Sequence, residues 1–188
     1  MTYISKGFEL NGSNNRYVKI HYYGGRYELK GIYASLWRRG IQGIASAASM
    51  KEENIIYELE KQGLVKVAAS ANGREWYFLL SRCLICLPKR CARLIILNSY
   101  ERRVLTWLRK SGFRLNISEL IYLIENNIQP SRNLLGEKNG RALSRRIYQN
   151  DHIQIGNSFE RKMSVVLSRD SVVNAVIQLI RKKQIYLI

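Results

Sequence analysis

Three arginines in the second half of the chain have the type and spacing needed to hold a polyanion. Arg141 and Arg145 are four residues apart, which places them on one face of a helix, and Arg146 lies beside them. A guanidinium neutralises a phosphate or donates two parallel hydrogen bonds to a guanine edge. The nearby Ser144 hydroxyl adds hydrogen-bonding capacity. We expect these residues to contact a polyanion; the alternative is a solvated basic face without a partner.

Other basic residues could contact the same polyanion. Those of the second half are Lys138, Arg161 and Lys162, and those of the first half are Arg38, Arg39 and Arg74. The first half also contains a feature that argues against such contacts. Glu52 and Glu53 open a predicted helix, where they stabilise the helix dipole but repel phosphate. Three alternatives stay open for this half: it binds protein, its acids contact cytosine amino groups, or its arginines alone contact the polyanion.

The overall charge favours a nucleic-acid partner. Lys and Arg number 31 against 14 Asp and Glu, a net charge of +17 over 188 residues. Repulsion among so many positive charges destabilises a compact state unless a bound polyanion neutralises them. The basic residues do not form one polybasic tail, which disfavours a membrane surface. With 46% hydrophobic residues and only 2 prolines, the chain is predicted to fold. No secretory signal or long apolar run is visible, so we expect a cytoplasmic, nucleoid-associated protein.

Residues suited to catalysis are few. The chain has two histidines, His21 and His152, and two aspartates, Asp151 and Asp170. It contains no phosphate-binding glycine loop, no nucleophile elbow and no paired acidic motif for two-metal chemistry. We therefore expect neither an enzyme nor a bound cofactor, and no small-molecule substrate is evident.

The three cysteines are predicted to be buried thiols. Cys83, Cys86 and Cys91 include a C-x-x-C pair, which is half of a typical zinc site. No suitable fourth ligand is nearby, and the residues between the cysteines are apolar. We expect no metal site here.

The apolar pattern predicts four segments: an N-terminal strand or extension (1–25), a first unit (26–82), an apolar linker (83–98) and a second unit (99–188). In the first unit, helical spacing predicts a helix from Leu29 to the stop at Gly40, and a second helix over Gln42–Ala48. A third helix is predicted over Lys51–Gln62. A hairpin should follow, with strands at Leu64–Val67 and Trp76–Leu80 around Asn72-Gly73.

The second unit is predicted to repeat this order. Its helices are expected over Tyr100–Lys110, Ser118–Asn126 and Arg141–Tyr148, and its hairpin strands over Ile153–Ile155 and Met163–Leu167. A final apolar helix should begin after Asp170 or Ser171. This helix could pack on its own unit, on the first unit, or in a homodimer. The last residues, 185–188, could form a dimer seam or a terminal strand.

A weak internal repeat supports two similar units, since Glu75–Arg82 and Lys162–Arg169 both end in Leu-Ser-Arg. Three helices followed by a hairpin, twice over, resembles the winged-helix superfamily of bacterial regulators and plasmid initiators. The closest local match is Ile55–Val65. The resemblance implies an α+β, predominantly helical fold, in which a third helix enters the major groove and the wing contacts the backbone or minor groove.

The expected function is sequence-specific binding of double-stranded DNA by a bacterial or mobile-element transcription regulator. Two alternatives remain: a plasmid replication or conjugation accessory protein, and a winged-helix scaffold that binds protein. One further segment, residues 16–27, interleaves aromatic and basic residues as single-strand binders do. The same alternation is also typical of an ordinary β-strand with a turn at Gly24-Gly25.

Overall fold

The computed structural model describes residues 1–68, 73–88, 96–112, 114–125, 127–130 and 167–188. Within these ranges helices combine with small antiparallel sheets, which confirms the predicted α+β class. The helices are α1 (Gly31–Ile41), α2 (Met50–Lys61), α3 (Gly73–Ser81), α4 (Ser99–Ser111), α5 (Ile117–Glu125) and α6 (Leu167–Arg181). The strands are β1 (Thr2–Ser5), β2 (Phe8–Glu9), β3 (Tyr17–Tyr22), β4 (Gly25–Lys30), β5 (Ala45–Ser46), β6 (Val65–Ala68), β7 (Ile85–Cys86) and β8 (Tyr186–Leu187).

Strand β1 separates two hydrophobic cores. It is the middle strand of the sheet β5-β1-β6, and all its residues are buried. Because side chains alternate along a strand, Tyr3 enters a core with α1, α2 and the β3–β4 hairpin, while Ile4 enters a core with α3 to α6. The elements that precede β6 and the described elements that follow it therefore pack against opposite faces of one sheet.

Two of the predicted elements of the first unit are wrong. Residues 42–48 contain strand β5 and not a helix, because this segment pairs with β1. Residues 76–80 lie in helix α3 and not in a returning strand. Strand β6 pairs with β1, and residues 76–80 pack as a helix in the core with α5 and α6. Residues 26–82 thus lack the winged-helix order, whereas the helix predicted over Lys51–Gln62 is confirmed as α2.

The glycine predicted to end the first helix lies inside it. Helix α1 begins at Gly31 and continues to Ile41, and Leu29 belongs to strand β4. Gly40 faces β1 so closely that an added Cβ would overlap Ser5 Oγ and lie 2.7 Å from Tyr3 Cε2. This glycine is required for the approach of the helix to the sheet and not for a stop signal.

In the second unit the described helices agree with prediction. Helices α4 and α5 confirm the first two predicted helices. Helix α6 confirms the final one but begins at Leu167, a residue assigned to a strand from the sequence. The predicted helix 141–148 and the strand at 153–155 lie outside the described residues, as does the second strand except for Leu167.

The apolar side of α6 is covered within the chain. It packs on α3, α4 and α5, and it contributes Val172, Val176 and Leu179 to the core. Strand β8 pairs with β7, so the terminal-strand interpretation of residues 185–188 is confirmed. A homodimer through α6 stays a prediction. None of the helices in the described ranges has both the length and the apolar character needed to cross a membrane.

Candidate nucleic-acid interface

Helix α4 is strongly amphipathic, and both of its ends are well defined. The Asn98 side chain accepts a hydrogen bond from Glu101 N (2.8 Å), and the Glu101 carboxylate accepts one from Asn98 N (2.8 Å). This reciprocal capping box fixes the first turn. Gly112 ends the helix in the left-handed conformation at φ 70°. Val104, Leu105 and Leu108 are buried on the inner side, so the rotation of the helix about its axis is determined.

The outer side of α4 carries only cations and small polar groups. We call Arg102, Arg103, Thr106, Arg109 and Lys110 the α4 face; all five are exposed. Their spacing of three, four and seven residues places them on one side of the helix. At a rise of ~1.5 Å per residue, the cations extend over about 12 Å. A DNA strand carries one phosphate per ~3.4 Å of helix axis, so the α4 face matches about three or four phosphates in length.

Internal contacts orient half of this face and leave the other half free. Arg102 Nε donates to Leu97 O (3.2 Å). Arg103 Nη2 donates to Ile124 O (3.1 Å) and Asn127 Oδ1 (3.3 Å), so it also satisfies the C-terminal end of α5. Arg109 and Lys110 make no side-chain hydrogen bond or ion pair within the described part of the chain. Their charges are therefore available to an anion.

A shallow groove runs beside the α4 face. It has a volume of about 300 Å³ and lies between α4 and residues 127–130. Arg102 and Arg103 line one wall, and Leu123, Ile128 and Pro130 contribute apolar surface opposite. This arrangement combines fixed cations with an apolar floor, which suits the backbone of a polyanion more than a deeply bound small molecule.

The carboxylate of α4 points away from this face. Glu101 is 1% exposed, and both of its oxygens lie 2.8 Å from Lys182 Nζ at the end of α6. The exposed side of α4 is consequently free of negative charge, because the acid of the helix is neutralised in the core.

Two of the three predicted cations of the first unit, Arg38 and Arg39, are paired with acids of the same chain. Arg38 Nη2 donates to Glu9 Oε1 (2.7 Å) and to Tyr17 O (3.2 Å). Arg39 forms two hydrogen bonds with Glu52, at 2.9 and 3.0 Å. The Arg39 guanidinium, together with Ala48 N, lowers the pKa of the Glu52 carboxyl, and Glu52 raises the pKa of Arg39. DNA contact by either arginine stays a prediction.

The remaining predicted contacts are not brought together by the described structure. Arg74 was expected on a wing but belongs to helix α3. Seven predicted residues lie outside the described ranges: Lys138, Arg141, Ser144, Arg145, Arg146, Arg161 and Lys162.

The strand interpretation of the aromatic and basic N-terminal segment is confirmed. Val18 and Ile20 of β3 are buried, and β3 pairs with β4 through a tight turn at Tyr23-Gly24. This turn precedes the expected one by a residue. Both turn residues have positive φ, 50° and 83°, as in type I′ hairpins.

The described cysteines are buried, as expected. Burial raises the pKa of the Cys83 thiol to about 11 and also raises the pKa of Cys86. Among the described residues no group of three or more His, Cys, Asp or Glu side chains is placed to hold a metal ion.

Sequence reasoning missed the α4 face. Its signal was present: Arg102, Arg103, Arg109 and Lys110 recur at i, i+1, i+7 and i+8, which is the spacing of one helical stripe. The apolar positions of the same helix predict its buried side, and the basic residues on the opposite side therefore form an exposed surface. Comparison of the chain with protein-family models, with curated proteins and with solved structures finds no match.

Proposed function

We propose that the protein binds double-stranded DNA and that the α4 face is a phosphate-binding surface. The observation that carries this proposal is the row of four cations, Arg102, Arg103, Arg109 and Lys110, on one exposed side of a rigid helix that has its only acid in the core. Phosphate contacts supply most of the affinity of DNA-binding proteins. The net charge of +17 provides the long-range attraction.

Sequence-specific reading is assigned to the second unit. Helices α4 and α5 occur in the order that a winged helix requires, and the predicted third helix would bring Arg141, Arg145 and Arg146 to the bases. In this arrangement the α4 face positions the protein on the backbone, while the third helix reads sequence. The first unit would then serve as a packing partner for the reader.

The biological role that fits this activity is a bacterial or mobile-element transcription regulator. A plasmid replication or conjugation accessory protein would use the same interface at an origin. The scaffold alternative depended on acids at the start of α2, and Glu52 is already paired with Arg39. We therefore rank DNA binding above protein binding.

The α4 face is tested with a pair of charge-matched variants. Arg109→Ala/Lys110→Ala removes two cations from the face, and Lys51→Ala/Lys61→Ala removes two exposed lysines from α2. Binding to duplex DNA is measured by fluorescence anisotropy over a salt series. Each lost phosphate contact reduces the slope of log K against log salt by ~0.9, so the face variant should lose about 1.8 and the α2 variant far less.

Three results would contradict the proposal. Equal slopes for the two variants would mean that the charge acts without a defined face. Unchanged affinity in the face variant would exclude α4 from the interface. No duplex binding by the wild-type protein at low salt would remove the function altogether. Separately, Arg141→Ala/Arg145→Ala/Arg146→Ala should reduce the preference for a specific site, and unchanged DNA affinity would exclude the predicted reader.

A further inference from the structure

A second candidate site lies where the β3–β4 hairpin meets strand β8. It is a half-open pocket of about 240 Å³, and the residues that line it include Phe8, His21, Tyr23, Leu84, Arg114 and Tyr186. The volume is below the ~300–1,000 Å³ typical of sites for drug-sized molecules. The pocket is therefore suited to a single ring system with one charged substituent.

Its walls are aromatic and mutually supported. The Phe8 ring lies 5.1 Å from the His21 ring and 5.1 Å from the Tyr186 ring, with interplanar angles of 59° and 61°. Tilted and edge-to-face contacts of this kind hold rings in fixed orientations. A planar ligand would consequently meet a preformed surface of ring faces and edges.

Among the described side chains that line the pocket, Arg114 is the cation. It is exposed at the pocket and makes no side-chain hydrogen bond or ion pair with any residue that the structure describes. No Asp or Glu side chain is among the described residues that line the pocket. Aromatic walls beside an arginine without an internal partner favour a planar ligand that carries a negative charge.

The tip of the hairpin carries a residue that disfavours the local fold. Tyr23 is 77% exposed and has φ 50°, a left-handed conformation in which Asn or Gly is normally found at this turn position. The Tyr23 ring lies 5.8 Å from the Tyr22 ring, a contact that leaves most of the Tyr23 side chain exposed. A residue that lowers stability at an exposed position beside a pocket indicates a function of that side chain.

The pocket also lies close to the α4 face along the chain. Arg114 follows Lys110 by four residues, a distance of at most about 14 Å along the chain. We propose that the pocket binds one unpaired base of single-stranded DNA next to a duplex, with Tyr23 stacking on the base and Arg114 pairing with its phosphate. Base stacking on aromatic side chains and backbone contacts by cations are how proteins hold single strands. The choice of DNA as the ligand rests on the proposed function. The geometry of the aromatic pocket is independent of that function.

The test compares three fluorescent DNAs: a blunt duplex, the same duplex with a short single-stranded tail, and the tail alone. Tyr23→Asn is the pocket variant; it should also raise Tm by about 1–3 °C because it relieves the turn, so loss of folding will not confuse the result. Tyr57→Asn, at an exposed position on α2, is the matched control. Arg114→Gln tests the phosphate contact against Arg16→Gln, another exposed arginine.

We expect the wild-type protein to prefer the tailed duplex to the blunt one. Tyr23→Asn should weaken binding to the tailed duplex by at least ~5-fold and leave blunt-duplex binding unchanged. Arg114→Gln should reduce the salt slope for the tailed duplex by ~0.7, the value for one phosphate of a single strand, and the two controls should match the wild type. An equimolar amount of free deoxynucleoside monophosphate should displace the tail poorly.

The outcomes separate this inference from the proposed function. Equal affinity for blunt and tailed duplexes, or a Tyr23→Asn variant that binds the tail normally, overturns the pocket while duplex binding by the α4 face stands. Tail binding that depends on Tyr23 without any duplex binding supports the pocket and overturns the duplex proposal. Displacement of the tail by an equimolar free nucleotide overturns the assignment to nucleic acid.

Discussion

The ion pair between Glu101 and Lys182 joins the start of α4 to the end of α6. The Glu101 carboxylate is 1% exposed and accepts from Lys182 Nζ at 2.8 Å and from Asn98 N at 2.8 Å. The Lys182 side chain is 28% exposed. The two partners are thus unequally buried, which predicts that their removal has unequal effects on the free energy of unfolding.

Removing the lysine should cost more than neutralising the acid. Lys182→Met leaves a charged carboxylate inside the core without a counter-charge, at a cost of about 3 kcal/mol. Glu101→Gln retains an oxygen for Asn98 N and leaves a lysine that can turn towards water, so we expect about 1–1.5 kcal/mol. The double variant should cost less than the sum of the single ones, with a coupling of about 1–2 kcal/mol.

Urea unfolding, followed by intrinsic fluorescence and by circular dichroism, measures these differences when the two probes give coincident curves. Lys183→Met is the matched control, since Lys183 is exposed and has no ion pair among the described residues. It should change stability by no more than about 0.5 kcal/mol. If Lys182→Met proved no more destabilising than Glu101→Gln, or if the coupling were zero, the assignment of a buried, paired carboxylate would be wrong.

Three further predictions concern the stability of the folded protein. Gly40→Ala should destabilise by about 1–3 kcal/mol, since overlap with Ser5 and Tyr3 outweighs the ~1 kcal/mol gain in helix propensity; chemical denaturation checks this, and Ser5→Gly in the same chain should recover part of the loss. Burial raises the pKa of Cys83 from its usual 9.0 to about 11. The folded state therefore keeps a proton that the unfolded state loses. The contribution of Cys83 to stability should be constant below pH 9 and fall by about 1.4 kcal/mol per pH unit between pH 9 and 11; a Cys83→Ala variant with the same slope in this range as the wild type would contradict this cause. Asn98→Ala should cost about 1 kcal/mol through loss of the α4 cap, and an unchanged unfolding midpoint would speak against the capping box.

Much of the helical content was predictable because its determinants are local. Helices α2, α4 and α5 each combine an apolar stripe with a cap residue that lies in the same short segment: Ser49 before α2, Asn98 before α4 and Asn116 before α5. The outward face of α4 was equally encoded, since the rotation of an amphipathic helix follows from its buried residues. The α4 face is therefore predictable from the sequence alone.

The wrong secondary-structure predictions concern segments whose conformation is decided by contacts with distant parts of the chain. Trp76–Leu80 has high strand propensity, yet these residues form α3, which packs against α5 and α6 and buries Leu79 and Leu80 in the core. Similarly, residues 42–48 are rich in alanine, yet pairing of β5 with β1 decides their conformation. Propensity differences of a fraction of a kcal/mol per residue are small beside such tertiary contacts.

The amino-acid sequence by itself determined the net charge, the amphipathic helices and the apolar character of Cys83 and Cys86, because each depends on composition or on neighbours within a few residues. Only the tertiary structure decided which cations are available to a ligand. Arg38 and Arg39 are paired with Glu9 and Glu52, whereas Arg109 and Arg114 make no such pair within the described chain. An ion pair forms between residues that the fold brings within about 4 Å of each other. The spacing of these residues in the sequence does not predict that distance.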